Sequence, residues 1–352
     1  MNRLAKAADP GLFVQFGNEA AFQQEVSSRL SATRGAPVTC KEIGVAESGH
    51  PILGYLIGSG PRKASLIAGS HADEPVGPET LRTFIRTAIT TPEKIAGYLE
   101  RFTFVVIPHV NPDGESDNAA WIKRWPSIDA YLKQAVRELP GRDIEFGYPD
   151  MRYENEAAAG FLREYGPFDL HISLHGMGFS DGALLLIERS WVDRSGPIRE
   201  AFKGLAAEYD FRLHDHDRGG EKGFEYVGPG FSTTPEGGRM KEYFEKRREM
   251  STAAKFKESS MEFVRSLGGD PFCLVPELPL FLINKVPSNE PKGDPQTYLK
   301  LKAHLPAAQR TANANQSIDW FIDRYGLKAI PAADAIRFQL GVIELGLEAV
   351  GG

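Results

Sequence analysis

His71 and Glu74 stand three residues apart in SLIAGSHADEPVGP, residues 65–78, where an apolar run breaks at Gly69. A turn at the end of a buried strand can bring an imidazole nitrogen and a carboxylate at that spacing onto one cation, which makes half of a zinc site. Short His-x-x-Glu matches also arise by chance, so the rest of the chain must supply the other half. Two more apolar runs do so: residues 168–174 lead to His175, and residues 272–275 lead through Pro276 to Glu277. Open α/β sheets gather their ligands beyond the carboxyl ends of strands. Two histidines with one carboxylate leave a fourth position for water, which separates a catalytic zinc site from a closed structural one.

The elements that must hold these residues follow from periodicity. Residues 1–35 read as a helical opening segment whose apolar stripe is Phe13, Phe16, Phe22 and Val26. Residues 40–45 and 52–58 form a hairpin across ESGHP, followed by the strand before His71 and a helix over 78–90 with Pro78 in its first turn. The β-branched and aromatic run 102–108 has the pattern of a strand buried on both faces, and Asn-Pro-Asp-Gly after it predicts a tight turn. Residues 115–150 are a long mixed excursion, 154–165 a helix, and 184–187 a short strand. Seven glycines in 217–238 mark a surface loop, a charged helix spans 239–267, and the tail is mainly helical. Strands alternating with helices predict a three-layer α/β/α domain on a mixed, mostly parallel sheet. One domain of 352 residues is expected, with a core at 36–285 and a helical cap at 286–352.

The composition narrows the function. With 41% hydrophobic residues a sizeable core can form, and a net charge of −6 without any basic block argues against nucleic acid. Cys40 and Cys273 are too few for a disulfide framework or a thiolate zinc site, and both read as buried free thiols. The opening MNRLAKAADPGLF has no apolar h-region, and no stretch approaches the roughly 18 to 20 apolar residues of a membrane span. A soluble cytoplasmic protein is expected, and the sequence leaves its oligomeric state open.

Other polar residues admit rival readings. Gly178, Ser180 and Gly182 spell the G-x-S-x-G of serine hydrolases, but that elbow needs a helix after the serine, and ALLLIE reads as a strand. His171 shares its side of the strand with His175, and its mid-strand place favours a packed core histidine. His109 ends a strand and reads as structural. His214, Asp215, His216 and Asp217 form either a second metal site or a solvated turn, the latter preferred. His50 lies in the hairpin turn without a chemical role.

GHPILGYLIG, GSHADEPVG, PHVNPDG, SLHGMGFSDGALLLI and VPEL, in this order from about residue 40 to 280, together resemble the zinc carboxypeptidase family of the carboxypeptidase A type. The resemblance implies one zinc ion held by His71, Glu74 and His175, the His₂Glu set of carboxypeptidase A. It also implies Glu277 as the base that takes a proton from the metal-bound water, and an arginine for the developing oxyanion. Arg124, shortly after a tryptophan in NAAWIKRW, is the candidate, with Lys123 and Arg142 as competitors. The family's Asp-Leu-Asn-Arg-Asn-Phe run grips the substrate's terminal carboxylate, but its best match here is DIEFGYP, residues 143–149. Glu145 and Phe146 stand at its Asn and Arg positions. A bidentate clamp is thereby replaced by an anion and an apolar ring.

Three explanations follow: a substrate with a cationic or amide end paired to Glu145; a clamp supplied elsewhere, by Arg142, Arg152 or Arg239; or a vestigial site. The expected activity is a zinc-dependent metallopeptidase acting on a peptide or small amide, for which amidating the substrate's C-terminus does not abolish cleavage. A zinc deacylase of N-acyl amino acids and a non-enzymatic zinc or peptide-binding module are the alternatives.

Overall fold

The computed structural model describes residues 3–8, 16–33 and 35–351; Phe13 of the predicted stripe lies outside them. The strands are β1 (Val38–Val45), β2 (Pro51–Ile57), β3 (Arg62–Ala68), β4 (Phe102–Ile107), β5 (Leu170–Ser180), β6 (Leu184–Ile187), β7 (Tyr226–Gly228), β8 (Phe231–Thr233), β9 (Phe272–Leu282) and β10 (Lys328–Ala329). They make one sheet ordered β1-β2-β4-β3-β5-β9-β6-β8-β7, with β10 beside β9. The centre, β4-β3-β5-β9, is parallel, and the flanking β1-β2-β4 and β9-β6 pairings are antiparallel. The sheet is mixed, with helices on both faces, as expected.

The continuous apolar run of β4 has a direct cause. Phe104 and Val106 point into one core and Val105 and Ile107 into the other, so neither parity of the strand meets water. Helices Val76–Thr90 and Ala332–Gly351 pack on the first face, Tyr153–Tyr165 and Ser260–Ser266 on the second. Ala332–Gly351 was expected as part of a cap, yet it is buried within its layer. From there the Gln339 amide donates to the His175 carbonyl at 2.8 Å and accepts from the Thr80 hydroxyl at 3.1 Å. The C-terminal helix therefore pins the backbone of a site residue.

Several boundaries differ from expectation. Asn111-Pro112-Asp113-Gly114 starts the helix Pro112–Ile122 instead of making a turn. The Asn111 side chain accepts from Gly114 N–H at 3.0 Å, and Pro112 occupies the first helical position. The charged stretch 239–267 divides into Gly237–Lys246, Met250–Ala253 and Ser260–Ser266, because Arg248 turns to φ +62° and Ser259 with Glu262 forms a capping box for a new start. Part of the glycine-rich loop joins the sheet edge as β7 and β8. Cys40 is half-buried and Cys273 buried, and neither is in a disulfide. No described helix is long and apolar enough to cross a membrane.

Candidate metal centre and its pocket

β3 ends at Ala68, and Gly69 takes φ +78° under His109. A Cβ there would lie 2.5 Å from the His109 Nδ1, so only glycine lets the chain turn at this point. His109 is buried and works as packing: its Nδ1 accepts from Asn111 N–H at 3.1 Å. The turn sets Glu74 N–H on the His71 carbonyl at 3.2 Å and feeds the helix Val76–Thr90.

β5 and β9 run past the expected ends, so His175 and Glu277 sit within their strands, directly paired in the parallel ladder. The His71 and His175 Nδ1 atoms are 3.0 Å apart. The Glu74 carboxylate reaches them at 3.1 and 3.0 Å respectively, and accepts from Gly176 N–H at 3.0 Å. Among the described residues this is the group of three whose ligand atoms all lie within 4.8 Å of one another.

The outer edges of the rings decide what the centre can hold. The His71 Nε2 faces Asp143 at 3.3 Å, and the His175 Nε2 faces Glu145 at 3.3 Å and the Ser173 hydroxyl at 2.9 Å. Carboxylates behind both rings place the neutral-state protons on Nε2. Two Nδ1 lone pairs then oppose each other beside Glu74, and a cation or shared proton between them is what makes the arrangement favourable. Burial lowers the pKa of both imidazoles, but Glu74 and Asp143 raise His71 to about 9, and Glu74 and Glu145 raise His175. The donors collect positive charge, and their chemistry fits zinc.

Glu277 completes the centre from the neighbouring strand. Its Oε2 is buried with no hydrogen-bond partner, and burial followed by the negative charge of Glu74 pushes the carboxyl up to about 7. Arg137, in the coil after helix Ile128–Gln134, ion-pairs with Glu74 and lies 3.6 Å from Asp73. His71, Glu277 and Arg137 all line a cavity of about 440 Å³.

The other expected residues are placed differently. Arg124 is half-exposed, 4.0 Å from Asp129, and does not line this cavity; nor does Lys123, which borders a separate hollow. Arg142 is exposed against Glu47; Arg152 is buried against Glu154 at 2.8 Å; Arg239 pairs with Glu236 at 3.2 Å. Phe146 does line the cavity, edge-on to Phe256. Glu145 is not a free anion facing the substrate. It is buried and accepts from the hydroxyls of Ser70, Ser173 and Ser260 and from Ser260 N–H. Although burial opposes it, bonding to His175, that ring's charge and Ser260 hold its carboxyl down at about 2.

Glu145→Gln is therefore expected to weaken zinc affinity roughly 10- to 100-fold, as loss of a carboxylate behind a ligating histidine does elsewhere. Competition against a chromophoric chelator would measure this, with thermal unfolding as a folding control. Unaltered affinity would remove Glu145 from that role.

Asp143 and Arg137 escaped the sequence reading. Asp143 heads the DIEF run and had a visible signal; Arg137 has none, lying in irregular chain. Of the rivals, His171 is buried between the hydroxyls of Ser65 at 2.8 Å and Ser260 at 3.3 Å, its pKa lowered to about 4 by burial. Ser180 is buried and precedes β6, not a helix. The His214 Nδ1 bonds Asp181 at 2.6 Å, while Asp215 accepts from the Tyr226 hydroxyl. His50 is exposed beside Ser48 and Asp113.

Residues 25–127, which hold His71 and Glu74, match the zinc carboxypeptidase family (peptidase M14). No curated protein matches the chain in sequence. Carboxypeptidase A from Helicoverpa armigera is similar in structure, with TM-score 0.52 and 12% identity over 95% of this chain and 73% of that one. Bovine thrombin-activatable fibrinolysis inhibitor, solved with tick carboxypeptidase inhibitor, has TM-score 0.50 and 13% identity over 95% and 98%. A Burkholderia mallei ATCC 23344 protein provisionally assigned as a carboxypeptidase has TM-score 0.51 and 15% identity over 94% and 68%. At these identities the likeness is one of fold, and it extends over nearly the whole chain. Family match and fold together support a zinc metallocarboxypeptidase-like hydrolase.

Proposed function

From a zinc carboxypeptidase match at residues 25–127 and a carboxypeptidase fold across the chain, we propose a zinc-dependent metallopeptidase that hydrolyses an amide bond in a peptide or peptide-like substrate. The observation that carries this reading is the facing pair of histidine Nδ1 atoms on Glu74, with an unpartnered Glu277 oxygen on the adjoining strand. His71, Glu74 and His175 are the proposed ligands. Bound there, zinc would supply a Lewis acid that polarises the scissile carbonyl and acidifies water.

The chain's own residues would do the rest. Asp143 and Glu145 fix the tautomer and aim of the two imidazoles. Glu277 Oε2 takes a proton from the attacking water and passes it to the departing amine nitrogen. Arg137 donates to the carbonyl oxygen as negative charge develops there, a role to which Arg124, which does not line the cavity, is not suited. The residues form one catalytic domain in this reading.

Elemental analysis tests it. About one zinc per chain is expected in the native protein, with most of it lost in His71→Ala and in His175→Ala, and amide hydrolysis stopped by a chelator and restored by zinc. A native protein that takes up no zinc on reconstitution would overturn the reading.

A further inference from the structure

The cavity that contains His71 and Glu277 has a second wall, and its charge is of the opposite sign. Arg218 and Lys222 reach it from the glycine-rich loop, and Lys302 from the helix Gln296–Asn313, which also brings Tyr298 to the cavity. Aromatic rings, not carboxylates, hold two of these cations. The Arg218 guanidinium lies 4.1 Å from the Phe224 ring centre, and the Lys302 ammonium 5.6 Å from that of Tyr298. Among the described residues none of the three forms an ion pair.

The loop's acidic groups are engaged elsewhere. Asp215 accepts from the Tyr226 hydroxyl at 2.6 Å, Asp217 from Gly219 N–H at 2.8 Å, and Glu225 pairs with Arg189 and Arg239. Exposed Glu221 offsets part of the charge at Lys302. Against it, desolvation, Arg218 and Lys222 all lower the Lys302 pKa, so the two loop cations are close enough to act on Lys302. Asp217 N–H donates to the Gly293 carbonyl at 2.7 Å, joining the loop to the segment that precedes the helix Gln296–Asn313.

We propose that Arg218, Lys222 and Lys302 form an anion subsite that replaces the absent clamp and selects amides whose pocket-bound end carries two carboxylates. One carboxylate would leave the wall with excess positive charge; two bring it near neutrality. The neighbouring Phe224 and Leu301 suit the methylenes that separate the two acids in a dicarboxylate. This inference rests on the proposed hydrolase reading, and it reverses the expectation that amidation of the substrate's C-terminus is tolerated.

The test uses the zinc-loaded full chain. N-acyl dipeptides ending in Glu, Ala or Lys, the diamide of the Glu substrate, and a monoamide of tricarballylic acid, whose acyl end keeps two free carboxylates, are compared by kcat/KM. The Glu and tricarballylyl arms distinguish a dicarboxylate leaving end from a dicarboxylate acyl end. One of them is expected to exceed its neutral counterpart by roughly 10- to 100-fold for each charge-assisted contact made. Arg218→Ala with Lys222→Ala is expected to raise KM for that substrate by a similar factor, and exposed Lys302→Gln to do so less. Glutarate titration by calorimetry reads the subsite without turnover. Binding should weaken with added salt and be lost in the double variant, with thermal unfolding showing that the variant is folded.

Equal rates for acidic, neutral and amidated substrates, or glutarate binding unchanged in the double variant, would overturn the subsite. A chain that turns over nothing yet binds glutarate through these residues would leave the subsite standing and sink the hydrolase.

Discussion

Glu277→Gln is expected to keep zinc at the native stoichiometry while kcat falls by roughly 10² to 10⁴, the range a positioned general base supplies. The substitution is close to isosteric, and the side chain it alters makes no hydrogen bond through Oε2 that the fold would lose. It also removes a negative charge that repels Glu74, so neither metal binding nor folding has reason to suffer. The separation of metal content from turnover is the informative result, since a ligand variant loses both. Elemental analysis, steady-state rates and thermal unfolding on one preparation would measure it. Activity close to native in a zinc-loaded Glu277→Gln protein would remove the residue from proton transfer. Zinc loss equal to that of His175→Ala would instead make it a ligand.

The parts of this centre that were legible in the sequence are those a short local pattern specifies. A glycine at the end of an apolar run, then His-x-x-Glu, describes a strand, a left-handed turn and two donors, and Gly69 under His109 shows why the turn tolerates no Cβ. β4 was legible because burial on both faces demands an unbroken apolar run. Elsewhere the same residue types served two structures. Asn-Pro-Asp-Gly suits a tight turn or a helix start, and it is the helix that gives the Asn111 side chain and Pro112 their places. Charge along 239–267 reads as one helix until the Ser259 capping box is weighed as a start signal. Glu145 was misread and Arg137 passed over for a different reason: their places come from contacts across distant sequence. Glu145 meets Ser70, Ser173, His175 and Ser260, and no local pattern announces that three distant segments will close around it.

Arg137→Ala is expected to lower kcat by roughly 10² to 10³, the cost of one lost donor to a developing oxyanion, with KM changed little. The placement rests on the guanidinium lining the cavity beside Glu74 while 43% of the side chain remains exposed to an incoming substrate. Burial would lower its pKa, but Glu74, Asp73 and Glu277 raise it further, so the donor stays charged. The competing role is that of a prop for Glu74, and the two differ in what rescues the variant. A prop lost from a ligand weakens zinc binding, and excess zinc restores the rate; a lost oxyanion donor leaves the rate low at saturating zinc. Arg137→Lys refines the comparison, since an ammonium supplies charge without the planar fork that can reach Glu74 and substrate together. It is expected to recover part of kcat. A rate for Arg137→Ala within about tenfold of native at saturating zinc, well short of the loss expected for an oxyanion donor, would leave Arg137 with Glu74 alone.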